Sequence, residues 1–408
     1  MTKILKLLIF ICLIILFLKC NNSNSILQEN PENLESILPT IELANTFDTL
    51  PDQLGHGYDF EGNGKDDQLE LQESFSNSIL DSFPLPQMDE SFKEGLKNQL
   101  RILRHAKVNG VSFDDHKVVT KDLSMVINHL LEQENGTPIS LDDFTAYQLE
   151  GEDRKGNVHF TGYFTPILKV RKEKDSIFQH PIYRYPIEWK GKLPSRKEIV
   201  EDEVLKGRNL EIAYAKDLFS IYTMQVQGSG IVEFENGEQK LLAFAGGNQH
   251  PYTSIGRHMI EEGYMSTRSV SLERIKKYFE DFPHYINEVL NVNQSYVFFS
   301  PQDSKPIGAG NYPLTPYYSI AVDRQHIPLG SVLLANIPIL DTNNEISHHE
   351  WRLVLAQDVG AAIKGPGHVD LYMGVGIEAR RQASFLHHYG QLYIILPETK
   401  DKSLAIKE

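Results

Sequence analysis

The chain has 408 residues, 41% of them hydrophobic and 10% aromatic, and a net charge of −15 at neutral pH. Such a length exceeds one ordinary domain, and the apolar fraction is enough for real cores. The charge is uneven: residues 21–90 hold fifteen Asp and Glu against Lys65 alone, leaving −4 for residues 91–408. No stretch carries a basic footprint, which argues against nucleic acid as a partner.

At the N-terminus Lys3 and Lys6 precede an apolar run, 7–18, too short for a comfortable membrane span. Residues 1–19 therefore read as a signal peptide. Cys20, followed by Asn21-Asn22-Ser23, resembles the site where bacterial lipoproteins are cleaved and lipidated, although Lys19 stands where a small residue is usual. An uncleaved N-terminal anchor is the other reading. Cys12 and Cys20 are the only cysteines, so an exported chain has neither an intramolecular disulfide nor a Cys-based metal site. Residues 20–88, rich in Asn, Ser, Glu, Asp and Pro, read as an acidic, mostly disordered tether.

Two helices follow, over 90–106 and 120–134, with apolar residues at helical spacing. From Phe144 the pattern turns to β, with strands expected over 158–165, 168–171 and 181–186. Short helices are expected at 196–203 and 213–219, then a strand over 220–226 that would point Gln225 and Gln227 to one polar face. Asn236-Gly237 joins 231–235 to 239–245 as a hairpin. Helices at 271–279 and 283–290 precede a mostly β region with strands near 296–299, 318–322, 332–335, 353–356, 369–372 and 391–396. No internal repeat is visible.

The segment AQDVGAAIKGPGHVDLY (356–372) carries the clearest chemistry. It sets Asp358 and Asp370 at either end of a Gly- and Pro-containing bend between strand-like runs, which suits acid–base work on a bulky substrate. Turn aspartates in a solvated hairpin would show the same pattern. Asp323 ends another strand, and three converging carboxylates would raise the pKa of one of them. FTGYFTP (160–166) offers hydroxyls and aromatic faces of the kind that bind sugar rings. MQVQGSG (224–230) offers amides suited to acetamido groups. His250 and His326 lack paired metal-ligand spacing, so no metal and no cofactor is expected.

These segments, together with GNQHPYTSIGR (247–257), YVFFSPQDSKPIGAGNYPLTP (296–316) and SIAVDRQHIPLG (319–330), resemble in this order the membrane-bound lytic transglycosylase A family of peptidoglycan-cleaving enzymes. The resemblance covers residues 90–398. It implies a mainly β protein with peripheral helices (α+β). A double-psi β-barrel domain, residues 88–165 plus 300–398, would be interrupted by a smaller inserted β-domain, 166–299, across a groove, with 399–408 as a tail. It implies Asp370 as the single catalytic acid, Asp358 and Asp323 as supporting aspartates, and Thr161 as a glycan contact. Tyr163, Gln225, Gln227, Ser229 and Lys364 are expected to line the substrate site.

The reaction implied is cleavage between N-acetylmuramic acid and N-acetylglucosamine with formation of 1,6-anhydromuramic ends. The partners implied are peptidoglycan glycan strands and a membrane, reached through a lipid anchor at Cys20 and expected to be the outer membrane facing the periplasm, with room for a cell-wall enzyme complex. The chain departs from the family pattern at Asn311-Tyr312 and at Ala361, neither of which removes a catalytic group. A non-catalytic peptidoglycan-binding lipoprotein and a two-carboxylate glycan hydrolase using Asp358 with Asp370 are the alternatives.

Overall fold

A computed structural model describes residues 88–398 except 107, 109, 114–115, 135–137, 267–269, 343 and 361. The expected signal peptide, Cys20, the tether up to residue 87, Ala361 and the tail lie outside the described residues. Helix α1 (Glu90–Leu103) opens where the Asp89 carboxylate accepts the Phe92 amide at 2.6 Å, an N-cap that satisfies one orphan donor. It buries Phe92, Leu96, Ile102 and Leu103. After a two-strand turn, β1 (Ser112–Phe113) and β2 (His116–Lys117), helix α2 (Thr120–Glu132) buries Leu123, Val126, Ile127 and Leu130. Both helices cover the main core, as the 3.6-residue spacing predicts.

Strands β3 (Phe144–Gln148) and β4 (Val158–Thr165) follow, and after Pro166 alone the chain passes into a second sheet. That sheet contains β5 (Ile167–Arg171), β6 (His180–Tyr183), β7 (Glu211–Ala215), β8 (Gly230–Glu233), β9 (Gln239–Gly247) and β10 (Val297–Gln302). They lie in the order β10-β9-β8-β5-β7-β6, and a bridge between Arg184 and Phe299 links the outer strands. Helices α3 (Arg196–Val200), α4 (Leu218–Gln227), α5 (Ile255–Glu261), α6 (Leu272–Asp281) and α7 (Ile286–Val292) intervene between these strands.

The chain then returns to the first sheet with β11 (Ser319–Ala321), β12 (Val332–Leu340), β13 (Ile346–Asp358) and β14 (His368–Val375), helix α8 (Gly376–Phe385) and finally β15 (His387–Pro397). Its pairings run β12-β13-β11-β14-β4-β15, and β15 pairs again with β12, so this sheet is ring-like, with β3 attached to β15. The ring is thinnest at β11, which contributes three residues. Val158, Phe160 and Phe164 of β4 and Val369, Leu371 and Met373 of β14 point into the main core. Among the described residues no helix is long and apolar enough to cross a membrane.

Two expectations fail in the second sheet. Residues 220–226 are helical, within α4, and the helix expected over 213–219 is instead the strand β7 followed by a cap. Ile, Tyr, Thr and Val favour strands by composition, but local end signals override them. Asp217 accepts the Ser220 amide at 2.8 Å at the start, and Gly228 at φ 81° ends the helix.

Helix α8 lies directly on β4, where a Cβ on Gly162 would sit 2.7 Å from the Ala383 Cα. Gly162→Ala is therefore expected to cost about 1–3 kcal/mol through overpacking, read as a lower urea midpoint at unchanged slope. An unchanged midpoint would mean that α8 does not depend on this close approach.

Candidate active site

The site is built on one pairing. Strands β4 and β14 run parallel, and their register sets His159 opposite His368, Thr161 opposite Asp370, and Tyr163 opposite Tyr372. Side chains alternate across a strand, so these six share one face while the Val and Phe neighbours fill the core. On the other side of β14, Ala321 of β11 faces Asp370, and Ala321 in turn faces Asp358 of β13. The Asp370 and Asp358 backbones thus stand two strand spacings apart, about 9–10 Å.

The Thr161 hydroxyl donates to Asp370 Oδ1 at 2.9 Å. Burial pushes the Asp370 carboxyl up to about 7; the Thr161 hydrogen bond opposes the rise and the nearby Asp358 adds to it. Asp370 is thus a carboxyl that holds its proton near neutral pH.

Asp358 is in a different state. Its Oδ2 accepts from the Tyr163 phenol at 2.9 Å, and Oδ1 accepts from the Ala309 amide at 2.8 Å and the Val359 amide at 2.9 Å. Burial raises its pKa, and those three donors hold the rise back. Tyr163 is buried, and burial together with the neighbouring Asp358 raises its own pKa, so the phenol stays a donor.

Asp323 is held by the Gln325 amide at 3.0 Å and the Gly365 amide at 2.9 Å, with His326 Nδ1 at 3.5 Å. Burial works to raise its pKa, but the amides and the charges of His326 and Lys364 outweigh it and hold the carboxyl below its ordinary value. By tying Gly365 to the end of the β11 segment, Asp323 shapes the loop that leads into β14.

The remaining expected residues divide. Gln225 is only 4% exposed: its Oε1 accepts from Arg196 Nη1 at 2.6 Å and its Nε2 donates to Val297 O at 3.3 Å. It is part of the insert's interior and does not line an open site, because the helix turns it inward where a strand would have turned it out. Gln227, half-buried at the end of α4, accepts the Phe164 amide at 2.8 Å and so joins the second sheet to β4. Ser229 is half-buried beside it and Lys364 is exposed. Thr161 is partly exposed, with its hydroxyl already engaged on Asp370 and on His368 Nε2 at 3.0 Å.

Three histidines, His159, His368 and His387, gather beside this face, and sequence reasoning missed their role. His159 stacks on His368 with ring centroids 4.9 Å apart, and its Nε2 lies 2.9 Å from His387 Nδ1. The signal was present: His159 and His368 each lie two residues before a site residue on a strand, which places them on the same face. Among the described residues no group of three or more His, Cys, Asp or Glu is arranged to hold a metal.

Residues 159–300 match the MltA specific insert domain, and residues 318–396 match the 3D domain. Membrane-bound lytic murein transglycosylase A of Escherichia coli K12 is 41% identical over 254 residues, 61% of this chain and 68% of the relative. The chain belongs to the membrane-bound lytic murein transglycosylase A family. The Vibrio cholerae member is 38% identical over 266 residues, 64% of this chain and 72% of that one.

Among solved structures, E. coli MltA with bound chitohexaose is similar with a TM-score of 0.64 at 31% identity, covering 86% of this chain and all of the other. The Agrobacterium tumefaciens enzyme is similar with a TM-score of 0.64 at 25% identity, covering 75% of this chain and 92% of the other. The mainly β architecture with few helices is that of the family.

A carboxyl raised by burial favours folding when protonated and loses that advantage as pH climbs through its folded value. For Asp370 the interval runs from the ordinary 3.8 to about 7. Asp370→Asn, which cannot ionise, is expected to melt close to the wild type at low pH and increasingly above it as pH rises through that interval. A melting difference that does not change with pH would contradict the assignment of a raised carboxyl.

Proposed function

We propose that the chain cleaves peptidoglycan as a lytic transglycosylase in which Asp370 acts alone, first as acid and then as base. The observation that carries this reading is the pairing of one proton-holding carboxyl with a second carboxylate that is already occupied. Asp370 keeps one oxygen on Thr161, while Asp358 is committed to Tyr163, Ala309 and Val359. A hydrolase with two working carboxyls needs the second one to activate water or attack the sugar. An Asp358 holding three donors is poorly disposed for that work, which favours the one-acid chemistry over the two-carboxylate alternative.

In the reaction the Asp370 proton passes to the glycosidic oxygen leaving the muramic acid C1, and the C1–O bond breaks. The C6 hydroxyl of the same sugar closes on C1, forming the 1,6-anhydro ring, and its proton returns to Asp370. No water is consumed. The nucleophile is intramolecular and so reacts at high effective concentration. Asp358 tunes and steadies Asp370 through its charge and its fixed position, and Asp323 steadies the loop that carries Lys364.

Glycan strands are the ligand, a reading supported by similarity to the E. coli structure that holds chitohexaose. Gln227, Ser229 and Lys364 are the polar contacts to the strand. The catalytic unit is 88–165 with 300–398, and 166–299 is the insertion. The family name supports attachment to a membrane of the cell envelope. Lipidation at Cys20, the outer membrane, its periplasmic face and a cell-wall enzyme complex are the finer parts of the same reading.

Digestion of purified glycan strands followed by mass spectrometry of the ends is the direct test. Anhydro ends are expected from the wild type and none from folded Asp370→Asn. Reducing ends, or retained activity in that variant, would sink the assignment. Because the working form of Asp370 carries its proton, activity is expected to fall as pH rises through about 7. A rate that climbs steadily from pH 6 to 9 would contradict it.

A further inference from the structure

The histidines beside the site take no part in the chemistry above, yet they are joined to it. His368 lies two residues before Asp370 on the same face of β14, with its Nε2 3.0 Å from Thr161 Oγ1. That same oxygen gives its proton to Asp370 Oδ1. A hydroxyl has one proton to donate. With it committed to Asp370, Oγ1 accepts from His368, which must then be the Nε2–H tautomer.

Burial pushes the pKa of His368 down to about 4, so the ring is neutral wherever Asp370 works. Its plane is supported by His159, stacked at 4.9 Å and 28°. His159 is held in turn by His387 Nδ1 at 2.9 Å, and burial together with His387, His368 and His388 pushes its pKa down to about 2. His368 is thus backed by a second neutral imidazole that is itself tied to β15.

We propose that His368 is a positioning residue for Asp370: by donating Nε2–H to Thr161 it locks the threonine proton onto Oδ1 and leaves Oδ2 as the oxygen that delivers the catalytic proton. The inference rests on the reading of Asp370 as the acid. Without the His368 donor the Thr161 hydroxyl is free to turn. Asp370 can then place its proton on Oδ1 and donate it to Thr161, away from the glycan. The carboxylate also loses a fixed donor, which raises its pKa further.

The test uses His368→Leu, His368→Gln and Thr161→Val with purified glycan strands, each variant first checked for its melting temperature. His368→Leu is expected to lower kcat by about tenfold, the worth of one hydrogen bond, with little change in KM. The alkaline fall of its pH profile should move to higher pH. His368→Gln, whose amide nitrogen can replace the Nε2–H donor, should recover most of both effects. Thr161→Val should move the profile in the same direction, and adding His368→Leu to it should change nothing more.

Wild-type kcat and profile in His368→Leu would overturn the proposal. So would a loss of rate shared equally by the Leu and Gln variants with the profile unmoved, the pattern of a merely structural residue. If His368→Leu does not fold, the His368→Gln and Thr161→Val profiles decide. Asp370→Asn separates the two layers: activity in that variant defeats the acid assignment itself, whereas an inactive Asp370→Asn beside an unaffected His368→Leu defeats only the role of His368.

Discussion

Everything at this site depends on the parallel, in-register pairing of β4 with β14. It aligns three pairs of side chains, His159 with His368, Thr161 with Asp370 and Tyr163 with Tyr372, along one face of the ring. Parallel strands cannot be joined by a tight hairpin and need a long crossover. Here the crossover contains the whole second sheet and several strands of the first, so the insert is an elaboration of a connection the pairing already requires. A shift of one residue would turn Asp370 into the core and bring Val369 to the site. The apolar alternation of β14, Val369, Leu371 and Met373, guards against that shift because these residues are committed to the main core.

The three aspartates show how one residue type acquires three states from its surroundings. Asp323 takes two backbone amides and nearby positive charge, and it stays ionised as a structural tie. Asp358 is half-buried and desolvated but compensated by three donors. Asp370 is half-buried, with one side-chain donor and a carboxylate neighbour, and it alone is carried to about 7. Desolvation acts on all of them, and the number of donors decides the outcome. The site is therefore tuned by what it withholds from Asp370 as much as by what it provides.

Much of this was legible in the sequence, and the failures are instructive. The two N-terminal helices, the Val158–Thr165 strand and the Asn236-Gly237 hairpin follow from periodicity and turn chemistry that act within a few residues. The segment before Gly228 has the composition of a strand, but the Asp217 cap and the glycine stop make it a helix. A strand there would carry Gln225 to the surface, whereas it lies inside the insert with Arg196. The strand spacing puts His159 on the site face, but nothing within residues 158–165 says that its partners lie two hundred residues onward.

By itself the sequence determined which residues alternate on each strand, where the carboxylates stand at strand ends, and, through six ordered motifs, which family to compare. Those are local or cumulative properties of the chain. Only the tertiary structure decided which strand lies beside which, and hence that Thr161 meets Asp370 and Tyr163 meets Asp358. Strand pairing is set by burial of whole faces across long separations, and a carboxyl's pKa is set by the donors and dielectric that this pairing brings to it.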